Sequence, residues 1–176
     1  SNCSVISDKL LGYYEVGGFV AYNISDYTNI KDCFVKIKSI ENNGETSDSY
    51  GCYTGGFVAY NEGNISNCRC SVDEIKSNLV LSDLYMGGFA GLMVFGRVDN
   101  CYTVCGSIEC GSSNAVEYFA DIGGFAGAIS GDFFGDYGSE IANCYVKSNS
   151  IISTIPDSND NFRTSVGGFI GSAIKD

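Results

Sequence analysis

One short phrase recurs five times along this chain: Gly17-Gly18-Phe19, Gly55-Gly56-Phe57, Gly87-Gly88-Phe89, Gly123-Gly124-Phe125 and Gly167-Gly168-Phe169, with starts 38, 32, 36 and 44 residues apart. Self-similarity at this period marks a repeat architecture, in which each unit buries its apolar face only by stacking on its neighbours. A second phrase alternates with the first. It reads Asn2-Cys3, Ile30-Lys31-Asp32-Cys33-Phe34, Ile65-Ser66-Asn67-Cys68, Val98-Asp99-Asn100-Cys101-Tyr102 and Ile141-Ala142-Asn143-Cys144-Tyr145. The variation in length falls between the phrases, where surface loops absorb insertions at little cost.

The intervening segments have the period of strands. In the run from Cys33 to Ile40, Val35, Ile37 and Ser39 share one face, and Phe34, Lys36, Lys38 and Ile40 share the other. Glycine pairs inside helices would cost about 1 kcal/mol per glycine. Further strand candidates are Phe57–Tyr60, Leu79–Leu81, Tyr102–Cys105, Tyr118–Ile122 and Tyr145–Lys147. Short strands recurring at this period predict an all-β chain: a right-handed parallel β-helix of four to five rungs, each about 37 residues. Like residues then sit over like along the axis. The expected columns are the five glycine pairs, the phenylalanines Phe19, Phe57, Phe89, Phe125 and Phe169, and the cysteines Cys3, Cys33, Cys68, Cys101 and Cys144. Two causes fit the paired glycines: a bulge with a backbone conformation closed to other residues, or close approach of a neighbouring rung. Apolar residues on both sides of each pair favour the bulge. The Asn or Asp before each Cys reads as a corner residue whose amide bonds to the backbone and to the next rung.

Gly87-Gly88-Phe89-Ala90-Gly91 and Gly123-Gly124-Phe125-Ala126-Gly127, the latter followed by Ile141-Ala142-Asn143-Cys144-Tyr145, resemble the GLUG repeat of microbial surface proteins. Gly167-Gly168-Phe169-Ile170-Gly171 fits the same pattern, and the resemblance runs from Asn2 to Gly171. Ala21 and Ala59 stand where glycine is usual, Asp32 replaces Asn, and Arg69 replaces Tyr. The resemblance implies a β-solenoid stalk in a large secreted or surface-attached protein, and it carries over no catalytic residue.

Composition narrows the function classes. The formal net charge is −11, with only ten Lys and Arg scattered along the sequence, so nucleic acid and anionic lipid are set aside as partners. No stretch is apolar over the roughly 18 residues a membrane span needs, so no membrane insertion is expected. Histidine is absent, which removes Ser-His-Asp and Cys-His nucleophiles. Nine cysteines include four outside the repeat, Cys52, Cys70, Cys105 and Cys110. They read first as buried thiols, with cross-rung disulfides as the alternative. The spacings of Cys68-x-Cys70 and of Cys101, Cys105 and Cys110 do not suit a zinc site. Carboxylate clusters at Glu117 with Asp121, and at Asp132 with Asp136 and Glu140, the latter beside Phe133, Phe134 and Tyr137, raise the alternative of a polysaccharide-active enzyme. The run Asp157–Asn161 opens like a calcium loop but lacks its glycine and closing Glu. Asn2, Asn23 and Asn64 head glycosylation sequons.

The reading is therefore a single domain over residues 1–176, cut from a longer array at both ends, acting as a non-catalytic structural and adhesive module at the cell surface or outside the cell. No catalytic, cofactor or metal residue is assigned. A glycan or a host or cell-surface protein is the expected lateral partner, with flanking repeats or end-to-end copies along the axis. A self-assembling fibre is the other alternative.

Overall fold

The computed structural model describes residues 1–25, 27–44, 51–78, 83–111, 119–131, 138–155 and 163–175. Nineteen strands and no helix occur among them. Each turn of the chain contributes one strand to each of four parallel sheets. The long sheet holds β1 (Ser4–Gly12), β5 (Phe34–Asn42), β9 (Arg69–Ser77), β13 (Tyr102–Cys110) and β17 (Tyr145–Ser153). The second holds β2 (Glu15–Gly17), β6 (Cys52–Gly55), β10 (Leu84–Gly87), β14 (Phe119–Gly123) and β18 (Arg163–Gly167). The third holds β3 (Val20–Asn23), β7 (Val58–Asn61), β11 (Ala90–Met93), β15 (Ala126–Gly131) and β19 (Ile170–Lys175). The fourth has four strands, β4 (Asn29–Lys31), β8 (Asn64–Ser66), β12 (Arg97–Asp99) and β16 (Glu140–Ala142). Every strand pairs with its counterpart one turn away, so the chain is a parallel β-helix of between four and five turns.

Register is strict. Gly17, Gly55, Gly87, Gly123 and Gly167 are direct partners in sequence. The five phenylalanines form one stack inside, with successive ring centroids 5.0, 4.8, 4.8 and 4.9 Å apart and planes within 6° of parallel. Phe57, Phe89 and Phe125 are wholly buried. Burying each contributes roughly 1.5–3 kcal/mol, and each offset aromatic contact adds about 0.5–1.5 kcal/mol. Ile40, Ile75 and Ile108 form a second buried column from the long sheet, and Ile65 and Val98 a third from the fourth sheet.

The long strands depart from simple alternation. In β5 the burial order puts Val35, Ile37 and Ile40 inside, while Lys38 and Ser39 both face out. Ile40 therefore joins Val35 and Ile37, and Ser39 leaves them, the reverse of the period-two assignment. The same irregularity recurs at Asp73-Glu74 and Gly106-Ser107, and stacking propagates it because each strand templates the next. Leu79–Leu81, like Tyr118, lies outside the described residues.

Candidate functional site

Two kinds of corner define each rung. At the first, the chain folds back through Gly-Gly-Phe so that the outer faces of the second and third sheets close on each other. A methyl group added at Gly91 would lie 2.7 Å from the backbone nitrogen of Thr54 and 3.0 Å from the carbonyl oxygen of Tyr85. One at Gly127 would lie 2.5 Å from the nitrogen of Met86. The crease explains why residues on both sides of the phrase are apolar: one set faces the core and the other faces the opposing sheet. None of the paired glycines has a positive φ; Gly96, at 81°, is the glycine that does among the described residues. Close approach, rather than the bulge favoured from sequence, is the cause. A Cβ at Gly18, Gly56, Gly88 or Gly124 would land on the carbonyl oxygen of its counterpart in the next rung. On Gly56 it would also meet Cys70 Sγ at 2.8 Å.

Tyrosines fill the mouth of the crease in the early rungs. Tyr53 stacks on Tyr85 at 5.6 Å and meets Tyr60 edge-on at 5.4 Å, and Tyr22 lies 5.3 Å from Tyr60. The hydroxyls of Tyr22 and Tyr60 donate to Glu15 and Glu62, both at 2.8 Å. Burial first, and then these carboxylates, raise both phenols above their usual range. In the fourth rung Asp121 takes the place of Tyr53 and Tyr85. It is fully buried, its Oδ2 lies 3.4 Å from Arg163, and its Oδ1 has no partner.

The second corner turns at Asn or Asp followed by Cys. Asn2, Asp32, Asn67, Asn100 and Asn143 all hold left-handed φ values between 51° and 57°. Asn and Asp are the non-glycine residues that tolerate this conformation best. Their side chains link rungs as well. Asn67 donates to Asp32 at 3.1 Å and Asn100 to Asn67 at 2.7 Å, while Asn143 reaches Asp99 instead, at 2.9 Å.

The left-handed turn leaves the following N–H without a carbonyl partner, and the cysteine column takes it up. The N–H groups of Cys33, Cys68 and Cys101 each donate to the Sγ of the next rung's cysteine at 3.4 Å. Each thiol in turn donates to the carbonyl two residues back: Cys33 to Lys31, Cys68 to Ser66, Cys101 to Asp99 and Cys144 to Ala142, at 3.1–3.3 Å. The corner cysteines are therefore amphoteric hydrogen-bonding groups and more than small apolar side chains. Cys3, at the first corner, is exposed. No disulfide joins any of the nine cysteines. Hydrogen bonding with Cys144 and Cys68, followed by burial, holds Cys101 protonated well above a free thiol's range. Burial pushes Cys105 and Cys110 up to about 12 and raises Cys70 as well. A thiol held protonated in this way is a poor nucleophile at neutral pH.

Of the acidic candidates, Asp121 and Glu140 lie among the described residues. Glu117, Asp132, Asp136 and their aromatic neighbours Phe133, Phe134 and Tyr137 lie outside the described residues, as does Asp157–Asn161. Glu140 is paired with Arg97 at 2.7 Å. Among the described residues no three His, Cys, Asp or Glu side chains come together as a metal site. Asn23, one of the sequon asparagines, is buried and donates to Asn61 at 2.7 Å. This inner amide pair was signalled by the identical tetrapeptide Val-Ala-Tyr-Asn at 20–23 and 58–61. The scattered cations, by contrast, gather. Aligned on the corner cysteine, Lys36, Arg69 and Lys147 fall at its first or third following position and so emerge together on the outer face of the long sheet.

Residues 50–75, from the second Gly-Gly-Phe through the third Asn-Cys corner and into β9, match the GLUG motif. No curated protein and no solved structure matches the chain.

Proposed function

We propose that this β-helix is a non-catalytic structural module, a stalk with a lateral binding surface in a large secreted or cell-surface protein. The observation that carries the reading is the commitment of both corners to stacking. The glycine pair, the phenylalanine and the cysteine of each rung are occupied by the same residues of the next rung. Asp121 is enclosed in the crease and Glu140 is held by Arg97. What the repeat preserves is axial continuity, while the outward residues change from rung to rung. Such a design suits extension and lateral presentation. The GLUG motif at residues 50–75 agrees with a repeat domain of the β-helix type.

Antibodies raised against this segment test the location. Labelling of intact, unpermeabilised source cells or of their medium is expected, and labelling only after permeabilisation overturns it. Incubation with a panel of neutral and acidic polysaccharides tests the non-catalytic part. No new reducing ends are expected, and release that disappears with Glu140→Gln overturns that part.

A further inference from the structure

The outer face of the long sheet is built from the outward positions of β1, β5, β9, β13 and β17. Six of the chain's ten cations stand on it, Lys9, Lys36, Lys38, Arg69, Lys76 and Lys147, against five of its twenty-one carboxylates, Asp8, Asp73, Glu41, Glu74 and Glu109. The face is near neutral on a strongly acidic molecule. Its charges are also divided. The margin next to the Asn-Cys corner carries Arg69, Lys36 and Lys147 and no carboxylate, whereas Glu41, Glu74 and Glu109 lie toward the opposite margin, where Lys9 pairs with Glu41 and Lys76 with Glu74 and Glu109, leaving that margin one charge negative.

The apolar groups are divided too. Five large apolar side chains are exposed here: Ile6 at 75%, Leu11 at 55%, Tyr145 at 54%, Ile152 at 42% and Val104 at 37%. Ile6, Val104 and Tyr145 belong to the basic margin and Leu11 and Ile152 to the acidic one. Along the basic margin runs a ridge in which Arg69 caps the Phe34 ring at 4.8 Å and Tyr102 stacks on Tyr145 at 5.0 Å. Along the acidic margin lies a groove of about 320 Å³, lined by Lys76, Glu109, Cys110, Ile152 and Thr154 among others.

We infer that this face binds a second copy of the same chain, face to face, about a two-fold axis parallel to the solenoid. That operation keeps each rung level with its counterpart and reverses the strand direction, so each basic margin meets an acidic one. It sets Ile6 near Leu11 of the other copy, Lys36 near Glu41, and the Tyr102–Tyr145 ridge over the groove beside Glu109 and Ile152. Ridge and groove occur on one surface, which is what a self-complementary interface requires. Five strands at about 4.8 Å spacing and nine residues at about 3.3 Å give a plan area of roughly 700 Å². A stable interface takes roughly 800 Å² from each partner, so one domain reaches that range. The strand edges at the solenoid ends take no part.

Sedimentation of the 176-residue chain from about 1 to 500 μM tests this. A closed dimer is expected, weakened about tenfold or more by Tyr145→Asp or Ile152→Asp. These side chains are exposed, so unchanged circular dichroism will separate loss of association from loss of fold. A photo-crosslinking residue at 145 is expected to capture a peptide of the second copy that contains Ile152. A monomer throughout the range overturns the inference. So does open-ended growth indifferent to both substitutions, which would assign association to the solenoid ends. A monomer that binds polygalacturonate or heparin through Lys36, Arg69 and Lys147 also overturns it and gives the face to an anionic glycan.

Discussion

The two corners of each rung solve the same problem by opposite chemistry. The Gly-Gly-Phe crease depends on side chains that are missing: in the first four pairs a Cβ on the second glycine has nowhere to go but into the next rung's backbone. The Asn-Cys corner depends on functional groups that are present, an amide or carboxylate that tolerates a left-handed turn and a thiol that takes up an orphaned N–H. A steric requirement admits no substitute, whereas a functional one admits any group of similar capacity. The chain shows this itself, since all five glycine pairs are intact while Asp32 replaces Asn at one of the five corners.

The strongest way to break this contrast is Gly56→Ala. The added methyl meets the Gly88 carbonyl and Cys70 Sγ, neither of which moves without displacing a rung. A loss of about 4 kcal/mol or more is expected, read as a lowered urea midpoint. Gly168→Ala is the internal control, because a Cβ there has nothing within 4 Å. In this chain it is expected to change stability by less than about 0.5 kcal/mol. Equal effects at Gly56 and Gly168 would show that glycine is needed for its backbone conformation after all.

Cys101 comes next. Cys101→Ala leaves the buried N–H of Cys68 without an acceptor, a loss of about 1–3 kcal/mol. Cys101→Ser keeps a donor and an acceptor in place and is expected to cost less. If the two variants are equally destabilised, the thiol is only a small apolar filler. Asn100 gives a smaller, reciprocal effect. Asn100→Ala places an alanine at φ 51°, costing about 1–2 kcal/mol. Asn100→Gly removes the amide link to Asn67 but relieves the backbone, and is expected to lie closer to the native chain.

How much of this was legible in the sequence follows from the same distinction. Residues that stack on copies of themselves announce their columns by repetition, so Phe57 over Phe89 and Gly55 over Gly87 could be read without coordinates. Repetition does not say why a residue is required. The sequence points the glycines to a bulge because the crease is a contact between two sheets, and no pattern within one strand encodes it. Ile40 was placed on the wrong face because two successive residues point outward at Lys38 and Ser39. The basic margin of the long sheet was hidden because its members, Lys36, Arg69 and Lys147, occupy different offsets in different rungs and meet only when the strands are laid side by side. The thiol bonds between rungs are not legible in the sequence, where cysteine reads as a hydrophobe or a disulfide partner, and its two-way hydrogen bonding appears only once the left-handed turn is known.

Alkaline pH sharpens the contrast with the smallest perturbation, because it distinguishes the thiols inside the long sheet from those of the corner column. Cys105 and Cys110 sit inside the long sheet, with folded values near 12 set mainly by burial. An unfolded thiol ionises near 8.5. Below that pH both states hold the proton and nothing changes. Between about 8.5 and 12 the folded chain keeps each proton while the unfolded chain releases it, so stability falls as pH rises, by roughly 1 kcal/mol per pH unit for each thiol. Denaturation midpoints from pH 8 to 10.5 are expected to decline accordingly, and Cys110→Ala is expected to remove that thiol's share of the slope while costing only its packing at pH 7. Below about pH 10, where an unfolded tyrosine still keeps its proton, a slope that survives the removal of Cys70, Cys105 and Cys110 together would move the alkaline sensitivity to the corner column. There each cysteine N–H donates to the thiol of the next rung, and the Asn-Cys turn would then be the weaker of the two corners in base, although the glycine crease is the more sensitive to substitution.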